Sequence, residues 1–215
     1  MQGIRHVVYL HGFASSPDSG KAQRFHAECS ARGIGFTCPD LNEPAFETLT
    51  VTRMLEQTRD AIAASGEGPV ALVGSSLGAF VAVHAAARDL TGRVTRLMLM
   101  APAFDFGGNR LRQLGEHGIE RWRAEGSIEF FHYAHNQPRR VWFKLYEDAA
   151  QYDAFALKLA MPIQIFQGRN DDTVLPSTVA SWCEGRPTVD LTWFDDGHQL
   201  SESVETILRA SFPMV

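Results

Sequence analysis

The chain has few cysteines, no long apolar run and no clustered basic stripe. Its three cysteines, Cys29, Cys38 and Cys183, are odd in number and widely spaced, which predicts reduced thiols in a cytosolic protein rather than a disulfide framework. No apolar run is long enough to span a bilayer, and residues 1–6 lack the pattern of a signal peptide. We therefore expect a soluble, cytoplasmic protein.

The net charge and the length of the chain further limit the possible classes of protein. A formal net charge of -5 argues against nucleic acid as a partner. The 215 residues can bury a core large enough to fold without disulfides or a structural metal. Because no internal repeat, low-complexity tract or linker interrupts the chain, we predict a single domain over residues 1–215.

Short apolar runs alternate with segments of helical periodicity along most of the chain. The predicted strands are His6–Leu10, Ile34–Cys38, the run from Pro69 to the glycine-serine turn, Val94–Met100, Pro162–Gln167 and Val189–Phe194. Alternating strands and helices imply parallel strands joined by right-handed crossovers. The predicted fold class is α/β, with a mostly parallel sheet of about six strands flanked by helices.

The alternation breaks over about residues 104–156, the segment called here the insertion. We find no strand-like run in it and predict short helical pieces such as Ile119–Glu125 and Glu147–Phe155. About half of all aromatic residues of the chain lie here. Aromatic side chains above the strand ends favour a helical lid that lines an apolar pocket. The alternative is that they only pack the insertion onto the sheet.

The turn Gly74-Ser75-Ser76-Leu77-Gly78 lies between a β-branched run and an alanine-rich segment. It fits Gly-x-Ser-x-Gly, the nucleophile elbow, in which flanking glycines let a strand and a helix approach closely. The pattern places Ser76 at the tip of the turn, at a helix N-terminus that favours developing negative charge. We interpret Ser75 as a small residue that the turn can hold.

An activated serine needs a base and an acid that holds the base in the right tautomer. Asp171 and Asp172 follow the penultimate predicted strand, and His198 follows the last one. Both loops leave the sheet at the edge where Ser76 is expected. The order Ser, Asp, His along the chain is typical of hydrolases that have a nucleophile elbow. Asp195 and Asp196 are interpreted as turn residues before His198, and both remain lesser candidates for the acid.

Two backbone groups are candidates for an oxyanion hole. Leu77 follows the nucleophile and offers one N–H, and Phe13 offers another in the loop after the first strand. Gly12 allows the turn there. Because the donors of such a hole are backbone groups, we interpret the His11 side chain as structural rather than catalytic.

These motifs resemble those of α/β-hydrolases, and the chain is similar to small bacterial esterases of the YqiA/YcfP type. Residues 9–17, residues 73–78 and the loops of Asp171 and His198 carry the similarity, which covers the sheet framework from residue 6 to the last helix and weakens in the insertion. It implies a triad of Ser76, Asp171 and His198, no cofactor, and hydrolysis of small acyl esters. The spacing from Gly168 to Asp171 and on to Val174 matches the family pattern and favours Asp171 over Asp172.

The chain departs from this family at two points. Gln167 stands where many relatives have histidine, a change that we expect to be harmless. The insertion is longer than in the smallest esterases and resembles in length that of acyl-protein thioesterases. An acyl thioesterase is therefore an alternative to an esterase, and a non-catalytic binding protein on a hydrolase scaffold is a further one that the intact triad argues against.

Other motifs add alternatives on metal and substrate. His132-x-x-His135 invites a metal site, but no acidic or cysteine partner stands at ligand spacing, so we predict no metal and interpret the pair as a polar face of the lid. The predicted partner is a small-molecule ester or thioester. Six arginines of the insertion leave an acidic acyl or leaving group as an alternative: Arg110, Arg112, Arg121, Arg123, Arg139 and Arg140.

Overall fold

The computed structural model describes residues 3–107 and 114–212 of the chain. Within these residues the strands are β1 His6–Leu10, β2 Gly35–Thr37, β3 Val70–Ser75, β4 Val94–Met100, β5 Ser127–His132, β6 Gln137–Trp142, β7 Ile163–Gly168 and β8 Val189–Phe194. The helices are α1 Gly20–Ala31, α2 Val51–Ala64, α3 Leu77–Ala87, α4 Gly115–Glu125, α5 Lys144–Ala149, α6 Pro176–Cys183 and α7 Val204–Ser211. Two short 3-10 helices lie at Phe46–Thr48 and Ala154–Ala156.

Six of these strands form one sheet in the order β2-β1-β3-β4-β7-β8, and each neighbouring pair is parallel. Parallel neighbours need crossover connections, which place helices on both faces of the sheet. The predicted α/β class and the predicted number of strands are confirmed. In such a sheet, sites form where loops leave the carboxyl ends of the strands, and β3, β7 and β8 provide those loops here.

Alternation along the strands divides the core into two layers. Val8 of β1 packs in the cluster that includes α2 and α3, whereas Tyr9 packs against Phe25 of α1 and Ile207 of α7 on the opposite face. Successive side chains of a strand point to opposite faces, so both faces of β1 are apolar and both are covered. Within the described residues, no helix has the length and apolarity to cross a membrane.

The insertion between β4 and β7 contains strands, so the prediction that it holds only helical pieces was wrong. After α4, strands β5 and β6 pair as an antiparallel hairpin with Ile128 opposite Val141. Buried Ile128 and His132 alternate with exposed Glu129 and Phe131, which is the two-residue period of a half-buried strand. This signal spans few residues, and proline and charged residues in β6 obscure its partner.

The predicted helical pieces of the insertion also have different bounds. The first begins at Gly115 rather than at Ile119 and ends as predicted at Glu125. The second, predicted over residues 147–155, is divided into α5 and the 3-10 helix Ala154–Ala156. Asp153 accepts a hydrogen bond from the Phe155 backbone N–H and so caps the second piece, which begins a new turn there.

Several polar contacts attach the insertion to the rest of the chain. Arg139 of β6 donates from Nε to the Glu47 carboxylate at 2.8 Å. The Ala134 N–H, in the hairpin turn, donates to the Ala14 carbonyl at 3.3 Å. These contacts hold the hairpin against the loop that follows β1.

Candidate active site

Ser76 lies between β3 and α3 in a backbone conformation that few residues adopt. Its φ of 53° and ψ of -116° are unusual for a residue other than glycine, and such conformations cost on the order of 1–3 kcal/mol. Hydrogen bonds on both sides hold it, because its N–H donates to the Met100 carbonyl at 2.9 Å and its own carbonyl accepts from Ala79 at 3.0 Å. The neighbouring strand and the helix thus fix the tip of the turn.

The two glycines of the turn are required by close backbone approaches. A Cβ on Gly74 would lie 2.5 Å from the Ala79 Cα atom, and a Cβ on Gly78 would lie 2.0 Å from the Leu10 carbonyl oxygen. Real Cβ atoms do not approach backbone this closely, so only glycine fits at either position without movement of β1 or α3. The spacing of these glycines in the sequence therefore reflects a packing requirement.

Replacing Gly78 by Ala should displace α3 from β1 and disturb Ser76. We expect a loss of stability at or above the upper end of the about 1–3 kcal/mol typical of overpacking, because the clash is with backbone that cannot rotate away. Chemical denaturation measures it. Gly20→Ala is the control, since nothing lies within 4 Å of a Cβ there and its stability should be unchanged or slightly higher. Equal stability of the two variants would contradict the packing argument.

The structure brings Ser76, His198 and Asp171 together in one hydrogen-bonded row. His198 Nε2 lies 3.1 Å from Ser76 Oγ, and its Nδ1 lies 2.9 Å and 3.1 Å from the two Asp171 oxygens. The three residues follow β3, β8 and β7, whose carboxyl ends lie at the same edge of the sheet. The row has the geometry in which an imidazole can take a hydroxyl proton while a carboxylate holds its other nitrogen.

Asp171 is a buried carboxylate surrounded by donors. Its Oδ1 accepts from the N–H groups of Thr173 at 2.9 Å and Val174 at 2.7 Å, and Oδ2 accepts from the Gln167 amide at 3.0 Å. Burial by itself raises the pKa of Asp171, but the hydrogen bonds from His198, Val174 and Gln167 outweigh it and hold the pKa below its usual value. The group therefore remains ionised at neutral pH.

The other acidic candidates lie elsewhere. Asp172 is exposed and accepts from the Thr173 hydroxyl. Asp196 accepts from the Ser203 hydroxyl and from the N–H groups of residues 202 and 203, and so it fixes the turn before α7. Exposed Asp195 pairs with Arg169 at 3.5 Å. Asp171 is the acid that contacts His198.

The two predicted oxyanion-hole residues both lie beside Ser76. Leu77 is the first residue of α3, where backbone N–H groups have no acceptor within the helix. Phe13 follows Gly12, whose backbone runs so close to Ser76 that a Cβ on the glycine would be 3.4 Å from the serine Cβ. Both residues line the cavity that contains the Ser76 side chain.

The His11 side chain fixes the loop after β1 that contains Gly12 and Phe13. Its side chain is buried, Nδ1 lies 2.9 Å from the Gly12 carbonyl oxygen, and Nε2 accepts from the Leu41 N–H at 3.0 Å. With Nε2 as acceptor, Nδ1 carries the proton and donates to Gly12. The ring joins the segments after β1 and β2, which is the structural role interpreted from the sequence.

Ser76 and His198 open into a cavity of about 980 Å³. Its wall includes aromatic side chains from the insertion and one from the loop after β1: Phe106, Trp122, Phe130, Tyr133, Tyr146 and Phe13. None of the four described arginines of the insertion lines it. Arg121 pairs with Glu125, Arg123 lies over the Phe143 ring, and Arg139 binds Glu47. Arg110 and Arg112 lie outside the described residues.

Sequence reasoning missed two polar residues at this site. Lys21 of α1 lines the cavity and donates to the Gln199 carbonyl at 2.9 Å, and burial, opposed by the nearby carboxylates of Asp196 and Asp171, lowers its pKa to about 8. Gln167 at the end of β7 contacts Asp171 directly. A single lysine after a glycine and a single glutamine in a strand carry no pattern that would have indicated either contact.

His132 and His135, the candidate metal pair of the sequence, pack against each other. Their rings lie 4.4 Å apart, and His132 also packs edge-on against Phe46. Burial, together with the nearby His135 and Arg139, lowers the pKa of His132. In residues 3–107 and 114–212 no group of three or more His, Cys, Asp or Glu side chains could hold a metal ion.

The sheet order, the turn between β3 and α3, and the loops that follow β7 and β8 define the α/β-hydrolase fold. The model of the uncharacterised protein family UPF0227 matches residues 6–211, and the chain belongs to this family. The resemblance to α/β-hydrolases of the YqiA/YcfP type is thereby confirmed. Among curated proteins, no match to the chain is found.

Solved structures share the fold across nearly the whole chain. A protein from Agrobacterium vitis S4, provisionally assigned to the hydrolases, is 24% identical with a TM-score of 0.83 over 96% of this chain and 86% of that one. Alpha/beta hydrolase domain-containing protein 10 from mouse is 19% identical, with a TM-score of 0.81 over 98% and 89% of the two chains. Est1E from Butyrivibrio proteoclasticus, with ferulic acid bound, is 15% identical, with a TM-score of 0.77 over 95% and 85%.

Proposed function

We propose that this protein is a serine hydrolase that cleaves carboxylic esters of small or medium acyl groups through an acyl-enzyme intermediate. The observation that carries the proposal is the row of hydrogen bonds from Ser76 through His198 to Asp171, which opens into an aromatic-lined cavity. Each member has a role that its position allows: Ser76 as nucleophile, His198 as base and acid, and Asp171 as the group that orients His198.

The reaction begins with attack of Ser76 Oγ on the ester carbonyl carbon as His198 Nε2 takes the hydroxyl proton. The carbonyl π electrons move to oxygen, and the N–H groups of Phe13 and Leu77 bind the resulting oxyanion. As the tetrahedral species collapses, the bond to the alcohol oxygen breaks and His198 returns the proton to that oxygen. Water, activated by His198 in the same way, then releases the acid and restores Ser76.

The hydrogen bond to Asp171 selects the useful tautomer of His198. An ionised carboxylate only accepts, so Nδ1 must carry the proton and Nε2 presents its lone pair to Ser76. Because its donors hold the pKa of Asp171 low, the carboxylate stays negative when the imidazolium forms and stabilises that charge. Every proton transfer of the reaction therefore passes through Nε2.

The insertion acts as a lid that supplies the acyl-binding wall. Several of its aromatic side chains line the cavity, whereas none of its four described arginines does. Arg121 and Arg139 pair with carboxylates, and Arg123 lies over a ring. This favours an uncharged acyl group over an acidic one. Lys21 is balanced by carboxylates that line the same cavity, Asp18, Asp105, Asp172 and Asp196.

The value of kcat/KM on p-nitrophenyl esters should rise with acyl length over the first few carbons and then fall. Each methylene buried against the aromatic wall contributes about 0.8 kcal/mol, or about a fourfold gain, until the cavity is full. A steady fall from acetate onward would show that the aromatics only pack the insertion. An aromatic acyl ester belongs in the same series, because the Est1E structure holds an aromatic acid.

Two adjacent phenylalanines provide a matched test of this wall. Phe130 lines the cavity, whereas Phe131, the next residue of β5, is 47% exposed and does not line it. Phe130→Ala should flatten the dependence on acyl length, and Phe131→Ala should leave it as in the wild type. The same slope in both variants would place the acyl group elsewhere.

Labelling with a fluorophosphonate separates catalysis from mere binding. An activated serine forms a stable phosphonyl adduct, so the wild-type protein should be labelled at Ser76. A protein that binds ligands without catalysis would not be labelled. Comparing an oxygen ester with its thioester analogue then decides between esterase and thioesterase, since the same three side chains can serve both reactions.

A further inference from the structure

We propose that Gln167 is a positioning residue for the reaction, because its side-chain amide fixes and polarises the carboxylate that orients His198. The inference rests on the proposed function, since Gln167 acts only through Asp171. It gives a physical reason for the sequence expectation that glutamine in place of histidine is harmless, since both side chains can offer an N–H donor. Gln167 is not among the residues that line the cavity, and it acts on His198 only through Asp171.

The amide of Gln167 points its nitrogen at the loop that holds Asp171. Gln167 is fully buried, and Nε2 lies 3.0 Å from Asp171 Oδ2, 3.2 Å from the Gly168 carbonyl oxygen and 3.3 Å from the Val174 carbonyl oxygen. Three acceptors surround this atom, so the reversed orientation would set the amide oxygen against three oxygens. The environment thus determines which end of the amide faces Asp171.

The other end of the amide is left without a partner. The Oε1 atom of Gln167 is buried and has no hydrogen-bond partner among the described residues. A buried unsatisfied acceptor destabilises a protein, and an apolar side chain of similar shape would avoid the penalty. The penalty at Oε1 is therefore offset by what the nitrogen does for Asp171 and for the carbonyls of Gly168 and Val174.

Gln167 is one of the four groups that donate hydrogen bonds to the Asp171 carboxylate. Thr173 and Val174 both donate to Oδ1, so they fix one oxygen. Gln167 and His198 share Oδ2, which sets the plane of the carboxylate against the imidazole ring. Without the amide, Oδ2 would accept a hydrogen bond from His198 alone, and the carboxylate would be freer to rotate.

Gln167→Met removes the donor and the unpartnered acceptor together at nearly constant volume. We expect a loss of stability at neutral pH, because Asp171 and the carbonyls of Gly168 and Val174 each lose a donor, a fall in kcat on the order of tenfold with KM unchanged, and an acid limb of the pH profile moved to higher pH. The last effect follows because the Asp171 carboxylate, with one donor fewer, stabilises the imidazolium form of His198 more strongly, and His198 is the base of the reaction. Gln167→His, which can keep an N–H donor, should recover most of the activity.

Gln167→Glu sharpens the test because it places a second carboxyl group beside Asp171. Two adjacent carboxylates share a proton over part of the pH range, so the acid limb should move further than in Gln167→Met. Gln164→Met is the matched control. Gln164 also lies in β7 and also has a buried, unpartnered Oε1, but its nitrogen donates to the Ala210 carbonyl, away from the site. Its pH profile and kcat should be those of the wild type.

The low-field proton resonance of the hydrogen bond between His198 and Asp171 gives a readout that needs no substrate. It should shift or disappear in Gln167→Met and remain in Gln164→Met. If the wild type has no ester turnover and no fluorophosphonate label, the proposed function fails while this resonance still tests the positioning. If the wild type is active and Gln167→Met keeps its resonance, its kcat and its acid limb, the positioning inference is overturned.

Discussion

Ser76→Ala lowers ester turnover by on the order of a thousandfold or more while the fold survives, if the proposed mechanism is right. The variant loses the attacking oxygen but keeps the Cβ, so the unusual backbone of the turn is unchanged. The residual rate comes from the oxyanion hole and from binding of the substrate. Turnover of a p-nitrophenyl ester and loss of the fluorophosphonate label measure the effect, and thermal unfolding checks the fold.

Ser75→Ala is the control for this experiment. Ser75 is the last residue of β3 and is buried, with a side chain that makes no contact to His198. Its replacement should leave kcat within a few-fold of the wild type. If Ser75→Ala instead abolishes turnover, the nucleophile has been assigned one position too late in the turn.

Asp171→Asn should reduce kcat by on the order of 10⁴-fold, as is typical when the acid of such a triad becomes an amide. The amide can present an N–H to His198 Nδ1, which favours the tautomer with the proton on Nε2. That tautomer cannot take the Ser76 proton. Steady-state kinetics at neutral pH measure the loss, and the same kinetics on Asp172→Asn are the control, because that carboxylate is exposed. A comparable loss in Asp172→Asn would overturn the assignment.

The lowered pKa of Asp171 also gives this variant a stability signature. Hydrogen bonds in the native state hold the pKa of Asp171 below that of an unfolded aspartate, about 3.9. The wild-type free energy of unfolding therefore includes a contribution from ionised Asp171. This contribution is fully present above the unfolded pKa of about 3.9 and is lost as the pH falls through the lower native pKa. The wild type should be more stable than Asp171→Asn at neutral pH, and the difference should shrink towards pH 3.

The sheet and the residues around Ser76 could be predicted because local sequence determines them. β3 is buried along its whole length and reads as an uninterrupted apolar run, and the glycines at 74 and 78 are forced by backbone contacts. The hairpin of β5 and β6 was missed, since only Ile128 and His132 alternate clearly and Pro138 and two arginines interrupt the pattern of the partner strand. Its stability depends on long-range contacts such as that of Arg139 with Glu47.

The polar residues behind the triad could not be predicted for a related reason. Gln167 is one of two glutamines of β7, and its residue type alone does not say which face it occupies or what it donates to. The contact with Asp171 exists because the loop after β7 turns back over the strand end, and Val174 and Thr173 hold that turn. The choice between Asp171 and its neighbour is likewise made by the loop and not by the residue type.

The placement of the insertion has a consequence for how the protein can be re-engineered. It joins β4 and β7, which are neighbours in the sheet, and Ser76, Asp171 and His198 all lie outside it. A chimera that carries a relative's segment between these strands would therefore change the cavity wall that we propose for the substrate and would keep the three proposed catalytic side chains. The graft would need to keep a partner for Glu47, so that the new segment still docks beside the loop after β1. Substitutions in the insertion would thus alter the range of substrates, whereas the proposed chemistry would depend on residues outside it.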